Sequence, residues 1–378
     1  MNQPAYPESS PKMAVGLDIV EETVDILTDS KAITDLWLAS DDPPMARTPE
    51  GWRIIDSMPA PTFSELSEAV EKLDPDWKKN IEVGSISRAR EVKNWRIRIT
   101  AYLAETGSKL ILTIRRQPLV PPSLKDAGLP ASVQVILDNP RGLILVTGAT
   151  RAGKSTTIAA MVQTLNDSRY CHVVTIEDPI EYRYSMHKAI FSLREVGPGM
   201  DCTSFAGGVR DAMRQSPDVI VIGEIRDRDT AEAAMLAAES GHLVVASLHA
   251  NTAPGAIQKL LAWFPEDERQ ARTQTLAGSL LGVINQILLP LRDRTGYALA
   301  TEIIANQNGR YNKSLGNTEK LVTLLEKHND EDDKMSRTMG ESLVMLVVNR
   351  AVAKSDALRQ AKGNQIAYDQ VKAIAEPA

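Results

Sequence analysis

The sequence predicts an α/β protein of two domains, a mixed α+β domain followed by a parallel-sheet domain. Three observations carry this reading. Short apolar runs at 143–146, 173–176, 219–222 and 243–246 alternate with helical segments, the pattern of parallel strands buried on both faces. A glycine-rich loop ending in Lys154 and Ser155 follows the first run directly. Pro118, Pro121 and Pro122 crowd one short stretch, as in a connector between domains. With 378 residues, 43% of them hydrophobic, the chain can bury a core in each part.

Taken in order, residues 1–14 form a polar leader without the basic-then-apolar pattern of a secretory signal, so a cytoplasmic location is expected. Leu17, Val20, Val24 and Leu27 recur at helical spacing, and Ile33, Leu36, Trp37 and Leu38 suggest a short strand. A turn follows at 41–44. Between Trp52 and Leu112 the pattern reads strand, helix, strand, strand: the helix covers 62–73, with Thr62 as cap and Glu65 at the capping-box position, and the last two strands alternate over 94–103 and 108–115. The α+β domain is therefore placed at 15–117, the linker at 118–128 and the nucleotide domain at 129–378. The apolar stretch 276–291 is broken by Ser279, Asn285, Gln286 and Pro290 and is too short to span a bilayer. The charge run 329–334 reads as a solvated loop, and 341–360 as a helical tail whose apolar face carries Leu343, Leu346 and Val347.

Forty-three basic against forty-nine acidic residues leave a net charge of −6, the wrong sign for a protein whose main task is gripping nucleic acid. Cys171 and Cys202 show no CxxC or Cys/His ligand spacing, so nothing in the sequence suggests a zinc site or a disulfide framework.

Residues 148–156, GATRAGKST, satisfy the phosphate-loop pattern in its strand–loop–helix context. Gly148, Ala149, Thr150, Arg151, Ala152, Gly153, Lys154, Ser155 and Thr156 form the expected ATP-binding loop. Its glycines let backbone N–H groups curl round an anion, Lys154 reaches the β and γ phosphates, and Ser155 holds Mg²⁺. PDVIVIGEIRD delivers Glu224 at a strand end as the second Mg²⁺-side group; a plain salt bridge with Arg226 is the alternative. VVTIEDPIEY places Glu177, Asp178 and Glu181 at the same edge, with Glu177 favoured to orient and deprotonate water, or else an acidic turn before Pro179. His242 and His249 bracket the run 243–246; an imidazole there can sense a γ-phosphate, though a buried structural histidine looks identical from sequence. These elements point to phosphoryl transfer to water. No NKxD base-reading motif occurs, so ATP is expected as substrate, with Mg²⁺ as cofactor.

The four boxes GATRAGKST, TIEDPIEY, RQSPDVIVIGEIRD and AAESGHLVVASLHANTA stand in the order of the secretion ATPase superfamily, the ring motors of type II and type IV secretion and of type IV pili, which the chain resembles over most of its length. The resemblance implies a PAS-like N-terminal domain and a RecA-like P-loop ATPase domain with a helical C-terminal tail. It implies a homohexameric ring recruited from the cytoplasm to inner-membrane secretion, conjugation or pilus platform proteins, with no direct nucleic acid. Carried over by motif, Glu177 resembles the water-activating acid, Glu224 the Walker B acid, and His242 and His249 the histidine-box pair. Arg98 and Arg115, with Arg96 and Arg116 beside them, match the N-terminal arginines that reach phosphates; strand-surface arginines in salt bridges are the alternative. A compact plan with no tetracysteine module, with Arg151-Ala152 in the loop and without an AIRENR-like tail, resembles the type IVB (Dot/Icm-like) secretion or conjugation ATPase more than a pilus retraction motor. A nucleic-acid-stimulated RecA-like ATPase and a non-catalytic nucleotide-binding scaffold are the readings from other classes.

Overall fold

The computed structural model describes residues 23, 25–27, 30, 32–92, 94–329 and 333–375. The expected leader 1–14 and most of the expected first helix lie outside the described residues. The described chain divides into two compact units, one running up to Leu119 and taking in Asp293–Gly296, the other comprising Val120–Arg292 and the residues from Tyr297 onward.

The first unit is a six-stranded antiparallel sheet made of β1 (Asp35–Ala39), β2 (Met45–Thr48), β3 (Gly51–Ile54), β4 (Ile86–Val92), β5 (Trp95–Ala104) and β6 (Lys109–Pro118), in the order β3-β2-β1-β6-β5-β4. Alternation fixes its inner face: Leu36, Leu38, Ile97, Ile99, Leu110, Leu112 and Ile114 share one core with Leu66, Ala69 and Val70 of the helix Phe63–Leu73. That helix starts where the capping box predicts, with the Thr62 hydroxyl accepting from the Glu65 N–H and the Glu65 carboxylate accepting from the Thr62 N–H. The helix Trp77–Val83 and strand β4 carry too few apolar residues in phase to be read in advance. On the outer face Arg98 and Arg115 stand side by side in register. Arg115 donates to Asp35 at 2.7 Å and Arg98 to the Ser87 hydroxyl at 3.1 Å.

The second unit is a seven-stranded sheet of β7 (Gly142–Thr147), β8 (His172–Glu177), β9 (Ile190–Glu195), β10 (Val219–Ile222), β11 (Leu243–Leu248), β12 (Leu280–Pro290) and β13 (Tyr297–Ala305). The order is β13-β12-β7-β11-β10-β8-β9, all parallel except β13. Successive residues of each central strand feed opposite cores: Leu143 and Leu145 pack with Ile220, Ile222, Val244 and Ala246, whereas Ile144 and Val146 pack with Val219, Val221, Leu243 and Val245. This is why those runs are apolar throughout rather than alternating.

One expectation is corrected. The charge run 329–334 is not simply a solvated loop: residues 330–332 lie outside the described residues, and Asp333 is buried. Its carboxylate accepts from the Met335 and Ser336 N–H groups at 3.0 Å and from the Tyr311 hydroxyl at 3.1 Å. Those bonds supply the solvation that burial removes. The expected helical tail 341–360 is made of two helices, Met339–Val348 and Lys354–Ala361, separated where Arg350 adopts φ 59°. With a third, Gln365–Ala373, they pack on Leu289 and Ala300 of the sheet.

Glu302, on β13, is buried with its carboxylate 2.5 Å from the Ala253 N–H, and burial pushes its pKa up to about 7 against an ordinary 4.5, the Ala253 bond opposing this in part. Folding therefore takes up a proton between these values, and the stability it contributes is full below about pH 4.5 and lost as pH rises through about 7. We expect Glu302→Gln, which keeps an oxygen for Ala253, to raise the melting temperature at pH 8 and flatten its dependence between pH 5 and 8. The wild-type loss over that window should be about 2–3 kcal/mol. Thermal melts of both proteins at pH 5, 6.5 and 8 check this; parallel curves would contradict it.

Candidate nucleotide site

β7 ends at Thr147, and the chain turns through residues 148–153 into the helix Lys154–Ser168. Two glycines are dictated by geometry. A Cβ at Gly148 would lie 2.5 Å from the Gln286 carbonyl oxygen, and Gly153, the residue before the helix, sits at φ 86°. No side chain caps this helix, so its first N–H groups face the loop's concavity and the positive end of the helix dipole is offered to an anion.

Parallel pairing carries the other groups to the same carboxyl edge: Glu177 is the last residue of β8, Glu224 follows β10, and His249 follows β11. The Lys154 ammonium donates to the Gly148 and Ala149 carbonyls at 3.0 Å each and to His249 Nδ1 at 3.2 Å. Burial holds the Lys154 pKa below its usual value, and the Glu224 charge offsets part of this. His249 Nε2 lies 3.0 Å from Glu224 Oε1, and Arg226 donates to Glu224 Oε2 at 2.7 Å. Because an ammonium has donors only, Nδ1 of His249 accepts and the ring proton sits on Nε2, pointing at Glu224. The salt bridge from Glu224 to Arg226 and the contact to His249 coexist, so the two readings of Glu224 are not exclusive.

The Glu177 carboxylate accepts from the Glu181 N–H at 3.2 Å, which orients it, and the buried Tyr182 hydroxyl lies 3.3 Å from that of Thr156 on the loop's helix. Glu224 is steadied from below: the Gly223 carbonyl accepts from Ser247 and the Ile225 N–H donates to the Ser247 carbonyl. A lysine, two carboxylates and an imidazole thus surround the mouth of an anion-binding loop.

Residues 84–373 match the family model described as type II/IV secretion system protein. The chain belongs to that family. It is 33% identical to the twitching motility protein of Neisseria gonorrhoeae over 85% of each chain. Among solved structures, that of the pilus retraction motor PilT with bound ADP matches with a TM-score of 0.77 and 31% identity, covering 93% of this chain and 98% of that one. The Legionella pneumophila ATPase DotB shares the fold at a TM-score of 0.81 and 24% identity, over 94% and 98%.

In this secretion-system family member the expected groups do not all converge. His242 precedes β11 and so stands at the opposite edge of the sheet, six strand residues or roughly 20 Å from His249. Its ring lies 2.9 Å from the Ala237 carbonyl and its own carbonyl accepts from the Gly142 N–H. Within this chain it makes a helix-end contact and stands apart from the cluster around His249. Arg98 and Arg115 belong to the first unit. Sequence reading passed over Asn285 and Gln286, two buried amides in succession on β12 beside the loop. Adjacent polar residues in a strand apolar on both faces were the available signal.

Mg²⁺ fits the donors present. The Ser155 hydroxyl and Glu224 carboxylate are hard oxygens of the kind Mg²⁺ takes alongside phosphates and water. No cluster of three or more His, Cys, Asp or Glu suited to a metal occurs among the described residues, and a phosphate-bound Mg²⁺ does not need one. Nor, among them, is any helix long and apolar enough to cross a membrane.

Proposed function

We propose that this protein is an ATPase motor, working as a homohexameric ring at the inner membrane, that energises a type IVB secretion or conjugation system. The observation that carries the ATPase reading is the Lys154–His249–Glu224 chain of contacts at the mouth of the phosphate loop. ATP and water give ADP and phosphate: the loop N–H groups and Lys154 bind the β and γ phosphates, Glu177 takes the proton of the attacking water, and His249 faces the γ-phosphate while its Nε2–H rests on Glu224. Ser155 and Glu224 would hold Mg²⁺, which when bound would supply neutralisation of phosphate charge. Nucleotide-dependent conformational change converts the cycle into work.

Arg151-Ala152 in the loop and C-terminal helices without an AIRENR-like motif support secretion or conjugation over retraction. A second reading, pilus retraction, is favoured by the identity to the gonococcal twitching protein and to the PilT motor. A pull-down from the native host with Glu224→Gln and ATP separates them. Secretion or conjugation coupling proteins are expected; a pilus platform protein with pilins would overturn the first reading.

A further inference from the structure

Asn285 lies on β12, 1% exposed, opposite Thr147 in the pairing with β7. Its Oδ1 accepts from the Thr147 hydroxyl at 3.1 Å and its Nδ2 donates to the Asn251 carbonyl at 3.0 Å. Only the amide nitrogen can face a carbonyl, so this orientation of the side chain is fixed by its partners. Thr147 is the residue from which the phosphate loop departs, and Asn251 is two residues beyond His249. One carboxamide therefore ties the root of the phosphate loop to the loop that carries His249.

The neighbours extend the clamp. Gln286, on the opposite face of the same strand, donates to the Ala152 carbonyl at 2.6 Å, and its own backbone carbonyl abuts Gly148. Glu302, the cross-strand partner of Asn285, accepts from the Ala253 N–H, so the histidine loop is pinned at 251 and again at 253 by side chains from adjacent strands. His249 itself is held at its carbonyl by the Lys259 ammonium at 2.8 Å.

We propose that Asn285 is a positioning residue for hydrolysis, setting where His249 stands relative to the bound γ-phosphate. Its side chain is buried on Thr147 and Asn251 and acts through His249; the inference rests on the ATPase reading of the site. Asn285→Leu keeps approximate size and removes both bonds. It should lower kcat about tenfold while the KM for ATP and the affinity for ADP change less than about twofold, because the phosphate loop stays shaped by Gln286. Asn285→Asp keeps an acceptor for Thr147 and sets an oxygen against the Asn251 carbonyl; it should show the same split, and serves if the leucine variant does not fold.

The deciding measurement is steady-state ATPase kinetics of the full chain with Asn285→Leu and Asn285→Asp, alone and combined with His249→Ala. If Asn285 works through His249, the double variants are no slower than His249→Ala alone. Multiplying losses, or a loss of ADP affinity matching the loss of kcat, would show general support of the fold and overturn the proposal. Wild-type turnover in the single His249→Ala variant would instead overturn the reading of His249 on which it stands.

Discussion

Lys154→Ala should abolish ATP turnover and lower nucleotide affinity by about ten- to a hundredfold. The ammonium is partly buried, is held over the Gly148 and Ala149 carbonyls, and brings to the cluster a full positive charge that phosphate oxygens would meet. A charge-assisted hydrogen bond to phosphate contributes about 1.5–3 kcal/mol, while the favourable backbone field at the helix start stays in the variant. Titration of a fluorescent ADP analogue against wild type and variant measures the affinity. Near-normal binding would show that the phosphate sits elsewhere.

Glu224→Gln and Glu177→Gln should separate binding from chemistry. Neither substitution removes a loop N–H or the lysine, so ATP should bind with an affinity within a few-fold of wild type, while turnover falls by at least about tenfold. The two differ in their expected pH response. After Glu224→Gln the new amide could still accept from His249 but would no longer carry the charge that helps keep Lys154 protonated, whereas Glu177→Gln loses a proton acceptor. Isothermal binding followed by single-turnover hydrolysis of the same samples distinguishes the steps. Wild-type turnover in either variant removes that carboxylate from the chemistry.

The sheet of the second unit was legible because its central strands are apolar on both faces and short, and because a loop of glycine, lysine and serine must follow a strand to do its work. The strands β9 and β13 were not. β9 is an edge strand whose residues are only partly buried, and β13 follows β12 as a hairpin outside the alternation of strands and helices. In the first unit the paired strands β5 and β6 announced themselves by alternation, whereas β4 carries Arg88, Arg90 and Glu91 and reads as a charged loop. Within the site, residues tied to one motif were recognisable, but their connection was not. Asn285 lies 138 residues from Thr147 and looks in sequence like a polar break in an apolar stretch. His242 and His249 flank one strand and so, though near in sequence, stand at its two ends.

The contacts of Lys154 bear on what the site can let go. An ammonium has three N–H donors, and here two backbone carbonyls and an imidazole nitrogen meet them. An incoming anion therefore gains only the difference between its own bond and the one it displaces. Orthophosphate, offering one small cluster of oxygens and no purine or ribose to add to it, gains little, while a nucleotide spreads its contacts along the whole loop. Free phosphate is therefore expected to bind this loop more weakly than a nucleotide does, which competition of inorganic phosphate against a fluorescent ADP analogue would check.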